Sequence, residues 1–301
     1  MDWFILAFIS AVFSAASAVS EKKTLFSLNA VEFSFFVSAV TLLLSAPFFF
    51  SIDLSSVFSF RIYLLFIKTI IGAAAFLCVM QAIKDLEISK ALPLLALSPG
   101  FVAIAGVIFI DDFLSPYEWA GLLLIAGGAF TLESEKSSFR LFSRIKSSAT
   151  INSYPNNPEP LLIKYKYIFT ALFLFTVSSV LDRLLLKDLK LPPFTFMAFQ
   201  QLFYALFFAV IYFVKRKEQS SLFSLGRNSL YLIIAVSIFT VIYRYTQIEA
   251  IKLAPVALVL SVKRLSVLMA VITGGRLFKE DNLTLRVFAV ILILAGTALL
   301  F

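Results

Sequence analysis

The chain has 301 residues, of which 60% are hydrophobic, with a mean hydropathy of +0.96 and a formal net charge of +8. A soluble domain is about 45–50% apolar, so this excess, spread over the whole length, indicates many membrane spans and excludes one large soluble core. A single cysteine, Cys78, and the absence of histidine exclude an internal disulfide, a Cys/His zinc cluster and the usual general base of serine or cysteine catalysis.

A spanning helix needs roughly 20 mostly apolar residues. Ten such windows follow one another, at 2–20, 30–50, 61–83, 90–110, 116–132, 166–188, 193–214, 229–251, 254–277 and 284–301. In lipid a spanning segment must satisfy its own backbone hydrogen bonds, so each window is expected to be helical. The first, "MDWFILAFISAVFSAASAVS", ends like a signal peptide. Its opening Met1-Asp2 carries no cation, which argues against removal, and a later repeat of this window places it in the mature chain. "SPYE" (Ser115 to Glu118) opens the fifth window as a capping box with proline in the first turn. The stretch 133–165, rich in Ser, Asn and Pro, reads as a polar linker. Gly121, Gly127, Gly128 and Gly296 suit close helix packing. Asp111-Asp112 and Glu280-Asp281 read as solvated ends.

The linker divides the chain into residues 1–132 and 166–301, each with five windows, and the halves resemble each other. Ala82-Ile83-Lys84 falls on Ala250-Ile251-Lys252, and from there Leu92 meets Leu260, Ser98 meets Ser266 and Gly106 meets Gly274. One residue later in register, Asp111-Asp112 meets Glu280-Asp281 and Ala126-Gly127 meets Ala295-Gly296. Near the starts, Ser17-x-Val19-x-Glu21-Lys22 matches Ser178-x-Val180-x-Asp182-Arg183. The common order of these matches is the evidence. An odd number of spans per half puts the second half in the membrane upside down relative to the first. The expected fold is therefore an all-α integral membrane protein of ten transmembrane helices in two inverted-topology five-helix repeats, the construction of many secondary transporters.

Most Lys and Arg residues lie in links between windows, which fits membrane topology better than nucleic-acid binding. Seventeen of the 26 border the links after windows one, three, five, seven and nine, and five lie on the other side. By that count both termini face outward.

The remaining cations, Lys68, Arg244, Lys263 and Arg264, fall inside windows. Each costs at least about 2.5–3.5 kcal/mol at a helix centre. Lys68 is close enough to its window's start to snorkel. Lys263 and Arg264 lie some ~15 Å from the nearer end of theirs, at about 1.5 Å per residue. Asp182 and Glu249 are the acids nearby; Asp182 is placed to pair locally with Arg183, and both are candidates for proton coupling. The interior stays net positive, which invites an anion such as a phosphate, carboxylate or sulfate. In the eighth window Ser237, Thr240, Arg244 and Gln247 share one helical face. The first window offers Ser10, Ser14, Ser17 and Glu21, and the seventh Gln200, Gln201 and Tyr204. Tyr243 and Tyr245 flank Arg244 and are placed to stack on an organic substrate.

With these residues in view, "VLDRLLL", "LFKEDNLTLRVFAVILILAGTALL" and "ALPLLALSPGFVAIAGVIFIDDFLSPYEWAGLLLIAGG" resemble the drug/metabolite transporter superfamily, EamA type, over nearly all of the chain outside the linker. "SVKRLSVLMAVI" is similar to triose-phosphate translocators, a branch of that superfamily whose Lys-Arg pair in helix 9 binds the substrate phosphate. The resemblance implies that Lys263 and Arg264 hold an anionic head group. Clear counterparts for the rest of that site, and any histidine, are missing here. It also implies cytoplasmic termini, opposite to the positive-residue count.

The expectation is a secondary-active transporter of a small organic anion in the cell membrane, working by alternating access. Lys263, Arg264, Arg244, Lys68, Gln247 and Tyr243 are the candidate substrate ligands. No cofactor, metal or nucleic-acid partner is expected, no catalytic cluster is found, and a homodimer is left open. Energy would come from exchange or a proton gradient, because no nucleotide-binding motif is present. The alternatives are an exporter of amino acids or drug-like metabolites and, from another class, a non-transporting scaffold or sensor whose polar stripes seal against each other.

Overall fold

The computed structural model describes residues 2–52, 59–98, 100–101, 104, 115–128, 131, 161–185, 189–216, 226–253 and 256–299. Among them the regular structure is helical: α1 (Trp3–Leu25), α2 (Ala30–Leu44), α3 (Phe60–Asp85), α4 (Ile88–Leu95), α5 (116–128), α6 (Leu161–Arg183), α7 (Pro193–Arg216), α8 (Arg227–Leu253), α9 (Val256–Leu277) and α10 (Leu283–Leu299). Four stretches, Trp3–Leu25, Phe60–Asp85, Phe194–Lys215 and Arg227–Ala250, are long and apolar enough to cross a membrane, while α2 and α10 are apolar but shorter.

Local chemistry explains where helices differ from the apolar windows. α2 starts at a capping box in which Glu32 N–H donates to Asn29 Oδ1 at 2.9 Å and Asn29 N–H to Glu32 Oε2 at 3.2 Å. It stops at Leu44 because Pro47 follows, and the chain continues as a 3₁₀ helix over Ala46–Ser51. α4 carries Pro93, which lacks the donor an inner turn needs, and the chain turns at 96–97. The Ser115–Glu118 capping box forms at the start of α5, with both reciprocal bonds in place. α6 begins at Leu161, inside the stretch read as linker; residues 133–160 and Asp111-Asp112 lie outside the described residues.

The halves interdigitate. α1 packs against α8 and α9, α3 against α6 and α7, α2 against α7 and α8, and α4 against α9. The largest apolar cluster draws Phe33 from α2, Met80 and Ile83 from α3, Ile168 and Leu172 from α6, and Ile233 and Val236 from α8. Phe35 of α2 stacks on Tyr212 of α7 with centroids 4.4 Å apart. α5 meets α10 through glycine: a Cβ added at Gly121 would lie 2.6 Å from the Gly296 carbonyl oxygen, and one at Gly296 2.5 Å from that of Gly121.

One end of the molecule is tied by charge. Lys22, at the end of α1, donates to the carbonyls of Ile83 and Leu86 at 2.6 Å each and of Lys84 at 3.3 Å. It thereby caps the C-terminus of α3, where a cation is favoured. Past α9, Lys279 takes a left-handed φ of 53°, and the next residue, Glu280, accepts from Ile88 N–H at 2.7 Å and Ser89 N–H at 3.0 Å. Glu280 thus caps the N-terminus of α4 from the other half, so it is not the solvated end that its sequence suggested. Arg286, 1% exposed, joins Glu87 at 2.9 Å, Glu280 at 3.4 Å and the Ser89 hydroxyl. Burial alone would raise the Glu87 carboxyl, but the hydrogen bond from Lys90 and the charges of Arg286 and Lys90 outweigh it and hold the group below its ordinary 4.5.

Gly296→Ala should lower the melting temperature in detergent, because the backbone must give way at a cost of about 1–3 kcal/mol. Gly127→Ala, with nothing within 4 Å, should leave it unchanged or raise it through better helix propensity. Arg286→Leu should cost about 1.5–3 kcal/mol, because Glu280, with a side chain 5% exposed, loses its cationic partner and keeps only its α4 donors. A carboxylate with a lowered native pKa stabilises above its ordinary 4.5 and loses that contribution as pH falls through the native value. The wild-type melting temperature should therefore fall below that pH, and the fall should be shallower in Arg286→Leu.

Candidate functional site

The polar face of α8 points inward along its length. Ser237 donates to the Val37 carbonyl of α2 at 3.3 Å. Arg244 Nη1 donates to Gln200 Oε1 of α7 at 3.5 Å. Gln247 Oε1 accepts a hydrogen bond from Lys263 Nζ of α9. The same ammonium sits over the Tyr243 ring, 4.8 Å from its centroid. Opposite, Ser10 of α1 donates to the Tyr243 carbonyl at 2.8 Å and fixes α1 on α8. Tyr245 turns the other way: it is 45% exposed and stacks on Phe48 at 6.5 Å, so only Tyr243 of the two flanking tyrosines faces the interior.

Lys263 and Arg264 line a cavity of about 310 Å³ with Ser14 and Ala18 of α1, Leu92 of α4, and Ser266, Val267 and Ala270 of α9. No carboxylate is among these lining residues. Both cations are half-buried, and Arg244 and Arg264 each act on Lys263 as like charges. The partners that Lys263 does have, an amide oxygen and an aromatic face, solvate its charge without cancelling it.

A smaller cavity of about 60 Å³ lies beyond Tyr243 and Arg244, which both line it. Its remaining polar wall is Glu21 of α1, Ser34, Ser38 and Thr41 of α2, Gln201 and Tyr204 of α7, and Thr240 of α8. Ser17 donates to Glu21 at 2.8 Å.

The other sequence candidates lie elsewhere. Lys68 is 3% exposed, with Nζ 2.7 Å from Asp182 Oδ1 and 4.8 Å from the Phe196 ring centroid. It does not snorkel, and Asp182 pairs with it across α3 and α6; the expected local pairing with Arg183 falls on a side chain outside the described ones. Neither residue is among those lining the two cavities. Glu249 is half-buried near the end of α8 and is not among those lining residues either. The Glu87–Glu280–Arg286 cluster escaped sequence reading because Glu87 lies nearly 200 positions from the other two and each sits beside a polar link.

Comparison with curated proteins gave no match. One solved crystal structure superimposes with a TM-score of 0.64 at 14% identity, covering 99% of this chain and 95% of that one, which establishes a shared fold alone. The model of the EamA-like transporter family matches residues 1–133 and 162–301. That match takes in nearly all of the helical chain, including the interlocked halves and the charged cavity between α1, α4 and α9. The chain belongs to the EamA-like transporter family, membrane proteins that carry small molecules across a bilayer through many helical passes.

Proposed function

We propose that the chain is a secondary-active transporter of a small organic anion, with Lys263 and Arg264 holding the anionic group and Arg244, Gln247 and Tyr243 completing the site. The observation that carries this reading is the cavity of about 310 Å³ walled by two cations and no carboxylate among its lining residues. That volume sits at the low end of the range for ligand pockets, about 300–1,000 Å³, and favours a metabolite over a large drug. Arg264 offers a planar fork and Lys263 a point charge, a pair suited to a phosphate or carboxylate.

Alternating access is the mechanism we favour, with residues 1–132 and 166–301 as inverted repeats. The helix pairings support it: exchanging each helix with its counterpart five places along turns α1 on α8 into α6 on α3, and α2 on α8 into α7 on α3, while α2 on α7 and α4 on α9 map onto themselves. Coupling is by exchange or by protons, and in the proton case Asp182 and Glu249 are the acids. The cell membrane is the proposed location. A zwitterion such as an amino acid is the second reading, favoured by Glu21, which supplies the opposite sign beside Arg244 in the smaller cavity. A sealed scaffold is disfavoured by the open volume.

The test is thermal stabilisation of the purified protein by sugar phosphates, carboxylates, amino acids and nucleotide sugars, alongside a Lys263→Ala, Arg264→Ala double variant. An anion should stabilise the wild type, and the double variant should need at least about tenfold more of it, as expected for losing a hydrogen bond to a charged group. Equal stabilisation of both proteins by neutral or cationic compounds would remove the anion reading.

A further inference from the structure

Buried polar groups normally find a partner, and each exception calls for a reason. Among the described residues, four buried side-chain atoms have no hydrogen-bond partner: Ser34 Oγ, Thr41 Oγ1, Arg244 Nε and Asp182 Oδ1. Asp182 has its reason in the Lys68 ammonium 2.7 Å away. The other three share one feature: Ser34, Thr41 and Arg244 all line the same cavity of about 60 Å³. Ser34 is fully buried and Thr41 is 2% exposed, so bulk water does not serve them. Three orphans from two helices, converging on one void, describe a site built to hydrogen-bond something.

This void adjoins the cationic cavity. Ser14 and Ala18 line the larger space and Glu21 the smaller. They are spaced four and three apart on α1, so they form one continuous face. The step from Ala18 to Glu21 is about 4.5 Å along the axis, at about 1.5 Å per residue. Tyr243 lines the smaller cavity, and its ring lies under Lys263, which lines the larger one. The spacing along α1 is that of a small molecule with one end in each cavity.

We propose that the smaller cavity is a subsite for the uncharged, hydroxyl-bearing part of the substrate whose anionic end is held by Lys263 and Arg264; the inference rests on the anion reading given above. The unpaired groups select this chemistry. The Arg244 Nε–H needs an acceptor, which an ammonium group cannot supply. The Ser34 and Thr41 hydroxyls both donate and accept, as does a substrate hydroxyl. A second anionic group would meet Glu21 in the same wall. An alkyl chain would leave all three polar groups unpaired, the situation in which a hydrogen-bonding site rejects an analogue most strongly. The volume has room for about two waters, at about 30 Å³ each, or for a hydroxylated carbon in their place.

The test uses six-carbon carboxylates that differ in the body of the molecule: gluconate, hexanoate and norleucine. Binding to the purified full-length protein is read from concentration-dependent thermal stabilisation. The comparison is repeated on Ser34→Ala with Thr41→Val, which removes two orphan hydroxyls at nearly constant shape and so should fold at least as well as the wild type. Gluconate should bind at least about tenfold more tightly than hexanoate to the wild type, with that preference lost in the variant and hexanoate binding unaltered. Equal binding of gluconate and hexanoate would overturn the subsite and show that the void holds only water, while leaving the anion reading intact. A preference for norleucine would overturn it in favour of a zwitterion. If no carboxylate or phosphate binds at all, the anion reading itself falls and the subsite with it.

Discussion

A cation inside a bilayer must be matched by an acid, solvated by the protein or reached by water. That constraint divides the buried cations of this chain into two kinds. Lys68 is spent on Asp182, and Arg286 on Glu87, Glu280 and Ser89. These charges are consumed in holding helices together. Lys263 instead receives the amide oxygen of Gln247, and Arg264 lines the same open cavity. Neutral partners lower the cost of burial and leave the field in place. A cavity with low-dielectric walls and an uncancelled positive field concentrates anions. The division is one of partner chemistry, since cations of both kinds are withdrawn from solvent.

Packing gives the uncancelled cations their space. α1 meets α8 and α9 at Ala7 and Ser10, and Ala11 and Ala15 of the same helix are also buried and small. Small residues let helix backbones come close, the usual means of association where lipid supplies no hydrophobic drive. Further along the same helix, Ser14 and Ala18 are too short to fill the volume opposite Lys263 and Arg264, and the cavity is what remains. The same helix ends in Lys22, which caps α3 at the break before α4, while Glu280 from the second half caps α4 itself. The α3–α4 break is thus gripped from both halves. The Lys22 bonds stay within residues 1–132, while those of Glu280 and Arg286 join the two halves at that end.

Features carried by short-range periodicity were legible in the sequence. The inward face of α8 was readable because Ser237, Thr240, Arg244 and Gln247 recur at helical spacing, and the Lys263-Arg264 pair stood out against its apolar run. Features that depend on distant partners were not. Arg286 sits just inside α10 and resembles an interfacial cation, yet it is 1% exposed, because Glu87 and Ser89 meet it from another helix. Glu280 follows Lys279 in a polar link and resembles a solvated residue; the left-handed turn at Lys279 carries it onto the α4 terminus. Lys68 and Asp182 were each legible as buried charges and not as a pair, since no local pattern joins α3 to α6. Tyr243 and Tyr245 look equivalent in sequence. They lie two residues apart on a helix that turns about 100° per residue, so they cannot face the same side, and the packing of α1 and α9 decides which one turns inward.

That choice is fixed at one carbonyl. The Tyr243 oxygen accepts from Ser10 of α1 at 2.8 Å and from Thr246 at 3.3 Å, and Thr246 also back-bonds to Ile242 at 2.9 Å. Hydroxyl back-bonding of this kind loosens and bends a helix locally, while the bond from Ser10 pins that point to α1. α8 is therefore held in a defined register where the two cavities adjoin. With the register set, consecutive residues divide the work: Tyr243 lays its ring beneath Lys263, and Arg244, its Nε unpaired, reaches Gln200 of α7 and lines the smaller void. The charged cavity and the hydrogen-bonding cavity then stand in a fixed relation set by one residue step on one helix, so a molecule that engages both is measured for length as well as for chemistry.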